Sequence, residues 1–271
     1  MRLFNRFGIE NHRAIAVNYA VATLAGLSMC KGIGAPSEII AEPWFGISIL
    51  TGFWFIFTYL LMTYSSQQAG VTITSLSSKL SVVIPTFLGV LFLKETLSIT
   101  AGTGIILAII SLFLIVGGKK GSDGKKKSKW LAVLPAAIFL GTGTGDILMK
   151  LTEQLNGSPD LTFMITFIYF IALLFGTAIV INDRIKGKTK FQWKDVIGGA
   201  ALGLTNFFST FCTYQCMRIF DNVFFFPTYN VGVVCATALT GRLLFKEKLS
   251  TRSYIGLALA IIAVTLITLK S

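Results

Sequence analysis

Apolar stretches close to 20 residues long alternate with short polar segments along the whole chain, at about 14–33, 44–66, 70–93, 98–117, 130–150, 160–182, 194–217, 222–245 and 252–269. That length is what a helix needs to cross a hydrocarbon layer about 30 Å thick at a rise of about 1.5 Å per residue. Alternating strand patterns of about ten residues, which a lipid-facing barrel would require, are absent. The pattern predicts an all-α integral membrane protein with nine transmembrane helices.

The stretches are also related to one another. Residues 89–115 recur at 241–267, a fixed offset of 152, with 13 of 27 aligned positions identical. Both copies carry Gly-x-Leu-x-x-Lys-Glu-x-Leu-Ser, running from Gly89 through Glu95 to Ser98 and from Gly241 through Glu247 to Ser250; in the apolar run that follows, Gly104 matches Gly256. Tyr19 and Gly26 match Tyr169 and Gly176 at an offset of 150, which pairs 14–33 with the second helix of the later half. The chain therefore reads as a duplicated five-helix unit with four helices before and five after the polar segment 119–129. Residues 1–118 form the first repeat, 119–129 a Lys-rich linker, and 130–271 the second repeat. Arg2 and Leu3 fall opposite Lys150 and Leu151, so the first helix of the first half is expected to be missing. A shortened reading frame, a late start and a genuine nine-helix variant all fit that expectation.

Composition agrees with a membrane location: 54% of residues are hydrophobic, only 13% are charged, and the mean hydropathy is +0.73, where a soluble domain carries about 25% charged residues. The net charge of +12 would point to nucleic acid in a soluble protein. Here the cations sit in the loops, where anionic lipid headgroups are their counterpart and no nucleic acid is expected. Assigned loop by loop, 18 Lys and Arg residues fall on one side and 5 on the other, with Lys79 inside a span. The richer side holds the present N-terminus and the linker and is assigned to the cytoplasm, which leaves the C-terminus outside. Five helices separate the two Lys-Glu-x-Leu-Ser copies, an odd number, so the copies are expected to point in opposite directions as an inverted repeat. Cys30, Cys212, Cys216 and Cys235 show no metal-ligand spacing, and no disulfide, metal or cofactor is expected.

With the Glu95 and Glu247 motifs, the Leu-Ser starts of the helices that follow, and the internal Gly104 and Gly256, the chain resembles the drug/metabolite transporter superfamily, specifically its EamA-type carriers. The resemblance implies a ten-helix carrier with a central cavity, working by alternating access on small metabolites or drugs. Two departures stand out: the absent first helix, and an outer C-terminus where many members have both termini cytoplasmic.

Several residues are candidates for contact with substrate. Lys79 lies near the middle of the span 70–93 among Ser75, Ser77, Ser78 and Ser81, although an ammonium at that depth costs about 2.5–3.5 kcal/mol on insertion scales. Its repeat equivalent is Val231, so the fold does not demand the charge. Asp146 follows the run Gly141-Thr-Gly-Thr-Gly145, which allows close backbone approach. It serves either as a proton or cation site or as a local ion pair with Lys150, four residues on. Pro227, followed by Thr228, Tyr229 and Asn230, is expected to interrupt the span 222–245, and Pro85 the span 70–93. Tyr229 and Asn230 could then offer hydrogen bonds to a ligand, or the proline could be only a kink. Trp54, Asn206, Tyr214 and Gln215 lie on the third helix of each half and line the same cavity or pack between helices. Glu95 and Glu247, with Ser98 and Ser250 as N-caps, read as scaffold. His12 is assigned no role.

The reading is a multi-pass carrier of the bacterial inner membrane that moves a small amphipathic metabolite, such as an amino acid or amine, with a coupling proton or cation. A membrane enzyme of lipid metabolism would need clustered acids or histidines, which this sequence scatters singly. A truncated, non-transporting membrane subunit is the other alternative, raised by the absent helix.

Overall fold

The computed structural model describes residues 9–30, 36–68, 71–92, 98–117, 129–156, 161–185, 192–245 and 251–268, and among them every regular element is a helix. In chain order these are α1 (Asn11–Met29), α2 (Pro36–Ala41), α3 (Trp44–Gln68), α4 (Val71–Leu80), α5 (Val83–Phe92), α6 (Ile99–Gly117), α7 (Lys129–Leu155), α8 (Thr162–Ile185), α9 (Trp193–Ile219), α10 (Asn222–Phe245) and α11 (Thr251–Thr268). Among the described residues α3, α8 and α9 are each long and apolar enough to cross a membrane. Glu95, Glu247 and Ser250 lie outside the described residues, as does the linker up to 128.

Local chemistry explains where helices start and stop. Glu10 caps α1, its carboxylate accepting the Arg13 amide at 3.0 Å, and the helix ends at Cys30, whose amide returns to the carbonyls of Gly26 and Leu27. Ser98 caps α6 as expected, accepting the Ala101 amide at 3.1 Å. Asp195, third in α9, reaches back to the Gln192 amide at 3.1 Å, the reciprocal half of a capping box.

Of the two interruptions expected at proline, one forms and the other does not. The span expected at 70–93 is two helices, α4 and α5, separated by a turn at Ser81 and Val82. Pro85 has no amide to return to the Ser81 carbonyl four residues back, and the Ile84 amide takes that carbonyl instead at 2.9 Å. Pro227 does not interrupt α10, which is continuous over Asn222–Phe245. It lies in the second turn, just past the Phe224 and Phe225 amides, which the Asp221 carbonyl holds at 3.1 and 2.8 Å. Pro135 sits inside α7 in a similarly early position and leaves that helix whole. The short helix α2 had no counterpart in the apolar pattern.

The chain divides into two compact units, residues 1–59 with 148–218, and residues 60–147 with 219–271. The division passes through α3 and α7, and each unit draws on both sequence halves.

In the first unit, α1 packs against α8, the two helices that the offset of 150 pairs. The core contains Tyr19, Ile56, Ile165, Tyr169, Phe207 and Tyr214. Glycines set the spacing between helices. A Cβ on Gly199 would stand 2.6 Å from the Ala14 carbonyl oxygen, and one on Gly203 would stand 2.6 Å from that of Asn18. These two positions, four apart on α9, let the backbones of α9 and α1 meet, the usual device where lipid supplies no hydrophobic drive for association.

In the second unit, α6 packs against α11 and α5 against α10, again helices related by the repeat. Gly104 and Gly256 are buried on α6 and α11. Gly143 of α7 faces α5 so closely that a Cβ there would collide with the Ile84 side chain.

Candidate functional site

The break between α4 and α5 carries the most unusual chemistry of the second unit. Leu80 ends α4, so Lys79 stands in the last turn of a ten-residue half-helix, at the negative end of its dipole. Hydroxyls surround the break: Ser77, Ser78 and Ser81 are buried, the Ser81 hydroxyl donates to the Ser78 carbonyl at 2.6 Å, and Thr86 donates to the Val82 carbonyl at 2.8 Å. One turn further out, Thr74 is joined to Ser65 at 2.7 Å. These side chains satisfy part of the backbone that the turn frees.

Asp146 reaches the same region from α7, one turn beyond the Gly143 contact with α5. Lys79 and Asp146 are both half-buried, and each is the charge that acts on the other. The local pairing of Asp146 with Lys150 is not formed. Lys150 donates instead to Glu153 at 3.0 Å and to the Met217 carbonyl at 2.6 Å, both in the first unit. Residues 67 positions apart in sequence, which the spacing along α7 could not reveal, are thus brought to one region of the second unit.

The other candidates divide by unit. In the second, Asn230 is buried and donates from Nδ2 to the Phe226 carbonyl at 3.0 Å, inside its own helix. Tyr229 is exposed and stacks on Phe225 with ring centroids 5.5 Å apart. In the first, Asn206 donates to the Asn18 side chain at 3.3 Å, while its carbonyl accepts the Tyr169 hydroxyl at 3.1 Å. Tyr169 also meets Thr210 at 2.7 Å. Tyr214 is fully buried, and its hydroxyl faces Thr152 without a close hydrogen bond. Trp54 is half-buried against Phe57, and Gln215 is half-buried on α9.

Two charged clusters in the first unit escaped the sequence reading. At one end of α9, Asp195, only 1% exposed, accepts the Glu10 amide at 2.9 Å and pairs with Arg13 at 3.2 Å. Beside them His12 meets Asp183 at 2.7 Å. At the other end, Glu153 lies between Lys150 at 3.0 Å and Arg218 at 3.7 Å. A helix of 27 residues is about 40 Å long, so the two clusters mark opposite ends of one span. The sequence carried a signal for them: with 12 acids in 271 residues, any acid at the edge of an apolar stretch is expected to have a partner.

Comparison with known proteins agrees with this architecture. A crystal structure of a protein 14% identical superposes with a TM-score of 0.69, covering 96% of this chain and 88% of the other, which is a likeness of fold. An uncharacterized protein of Haemophilus influenzae is 26% identical over 273 residues, covering 97% of this chain and 90% of that protein. Residues 1–117 match the model of the EamA-like transporter family. With its apolar helices and this match, the chain is a helical membrane protein whose residues 1–117 are similar to the EamA-like transporter family.

Proposed function

We propose that the protein is a secondary-active carrier of a small metabolite in the bacterial inner membrane, working by alternating access, with its substrate site at the break between α4 and α5. The observation that carries this reading is an interrupted helix within the apolar part of the chain, with half-buried Lys79 in the last turn before the break and half-buried Asp146 in the same region. An interrupted helix brings a carbonyl end and an amide end together inside the membrane, where they can replace water around a polar solute. Intramembrane charges are retained where they serve a pathway. Asn230 and Tyr229, from the helix that packs on α5, supply further polar contacts. The charge count supports a cytoplasmic linker, an outer C-terminus and two repeats of opposite orientation.

The experiment is uptake by proteoliposomes of a radiolabelled panel of amino acids, amines and carboxylates. Lys79→Ala and Asp146→Asn are each expected to lower uptake of the transported compound at least about tenfold, the loss of one charge-assisted contact. Wild-type rates in both variants would remove the pair from the site. A truncated subunit without transport activity predicts no uptake above empty liposomes.

A further inference from the structure

Buried hydroxyls and amides of the first unit form a file beside α9, and we propose that this file, completed by water, is a proton path that is closed along one stretch. Asn206, Thr210, Tyr214 and Arg218 recur every four residues and so share one face of α9. The Tyr169 hydroxyl meets Thr210 at 2.7 Å and donates to the Asn206 carbonyl at 3.1 Å, and the Asn206 amide reaches Asn18 at 3.3 Å. In the other direction, Lys150 donates to the Met217 carbonyl at 2.6 Å and seats α7 on α9. Thr152, two residues on, meets Thr51 at 3.0 Å, and Ser48 lies one turn before Thr51 on α3. Glu153, between Lys150 and Arg218, ends the file on this side.

Three atoms on the file are orphans. The Ser48 hydroxyl, the Tyr214 hydroxyl and the Asn18 amide nitrogen belong to residues 0% exposed, and none meets a hydrogen-bond partner among the described residues. Buried polar groups pair with water where the protein offers nothing, so the orphans mark water positions between the hydroxyls. Such a file conducts protons: each oxygen accepts a proton from one neighbour as it gives its own to the next, and no net bond or charge changes. Asn18 and Asn206 hold water in place and relay nothing.

Beyond Asn18 the file stops. Residues 14–17 of α1, 170–176 of α8 and 196–204 of α9 carry no polar side chain. Here α9 lies directly on α1: a Cβ on Gly199 or Gly203 would stand 2.6 Å from the carbonyl oxygen of Ala14 or Asn18, which leaves no room for water. Past this stretch lies the second charged cluster, with Asp195 on Arg13 and Asp183 on His12. A proton-coupled carrier must not conduct continuously, and the dry stretch prevents it. Parting α9 from α1 joins the two clusters.

The test is proton flux into pyranine-filled proteoliposomes of the full-length protein, with the membrane potential clamped and no substrate. Wild type is expected to match empty liposomes. Gly203→Ala and, as a second wedge, Gly199→Ala are expected to raise the flux. Adding Tyr214→Phe, which takes one hydroxyl out of the file, is expected to return it to the wild-type rate. X-ray radiolysis of the wild type, which oxidises side chains beside bound water, is expected to label Tyr214 faster than the equally buried Phe226. The proposal is overturned if Tyr214 labels no faster than Phe226, if neither folded wedge variant leaks, or if the leak survives loss of the Tyr214 hydroxyl. The labelling needs no variant, so it decides even where both wedges unfold the protein. None of these residues belongs to the α4–α5 site, and with no substrate present the result leaves that reading untouched.

Discussion

Two repeat-related spans of the second unit meet proline differently. The span 71–92 breaks at Ser81 and Val82, four and three residues before Pro85, while α10 runs unbroken through Pro227. The residue type is the same; the position of the carbonyl it abandons is not. Pro85 abandons the Ser81 carbonyl in mid-span, where nearby serine and threonine hydroxyls compete for the backbone. Pro227 lies in the second turn of α10, just past the Phe224 and Phe225 amides that the Asp221 carbonyl holds, and the helix runs on through it. The lesson is that a proline breaks a membrane helix at the site of its missing bond, one turn before itself. Only the break that falls in mid-span can expose a half-helix end near a buried charge. Lys79 occupies that end, and its counterpart in the unbroken helix is Val231.

The largest test of this contrast is Pro85→Ala. Restoring the amide lets α4 and α5 join, a gain of up to about 3 kcal/mol in helix continuity, seen as a higher melting temperature. Uptake is expected to fall at least about tenfold, because the end that holds Lys79 is gone; unchanged uptake would separate the break from the site. Next is Gly143→Val, which drives a side chain into Ile84. A loss of about 1–3 kcal/mol is expected by thermal melting, together with reduced uptake, since α7 is what brings Asp146 to α5. Ser98→Ala removes an N-cap at the start of α6; about 1 kcal/mol should be lost with uptake intact, and a larger effect on transport would make the repeated motif more than scaffold. The smallest effect belongs to Pro227→Ala, within about 0.5 kcal/mol of wild type in melting and within about twofold in uptake. A loss as large as that of Pro85→Ala would erase the difference between the two spans.

The two charged clusters of the first unit sharpen the same point. Arg13 with Asp195, and Glu153 with Lys150 and Arg218, sit at the ends of α9, where partners and capping groups satisfy them. Removal of one partner from such a buried pair costs about 3–5 kcal/mol, so these charges act on folding. Sequence reading passed over both clusters, and took Lys150 as the rival partner of Asp146, because every contact except Lys150 with Glu153 and Glu10 with Arg13 joins different helices. Spacing along one helix reports only neighbours three or four residues away.

The sequence by itself determined that this chain lives in lipid and is built of helices, that residues 89–115 recur at 241–267, and that Ser98 starts a helix. Length, hydropathy, repetition and capping are local or periodic properties, and physical chemistry acts on them before any helix meets another. Pro85 and Lys79 could also be singled out, since a proline and a charge inside an apolar run are unusual wherever the run is placed. Tertiary structure alone decided which proline breaks its helix, that Asp146 shares a region with Lys79 while Lys150 pairs with Glu153, and that each compact unit joins helices from both halves. These depend on distances between segments far apart in the chain, set by glycine contacts such as those of Gly143, Gly199 and Gly203, and no pattern within one segment encodes them.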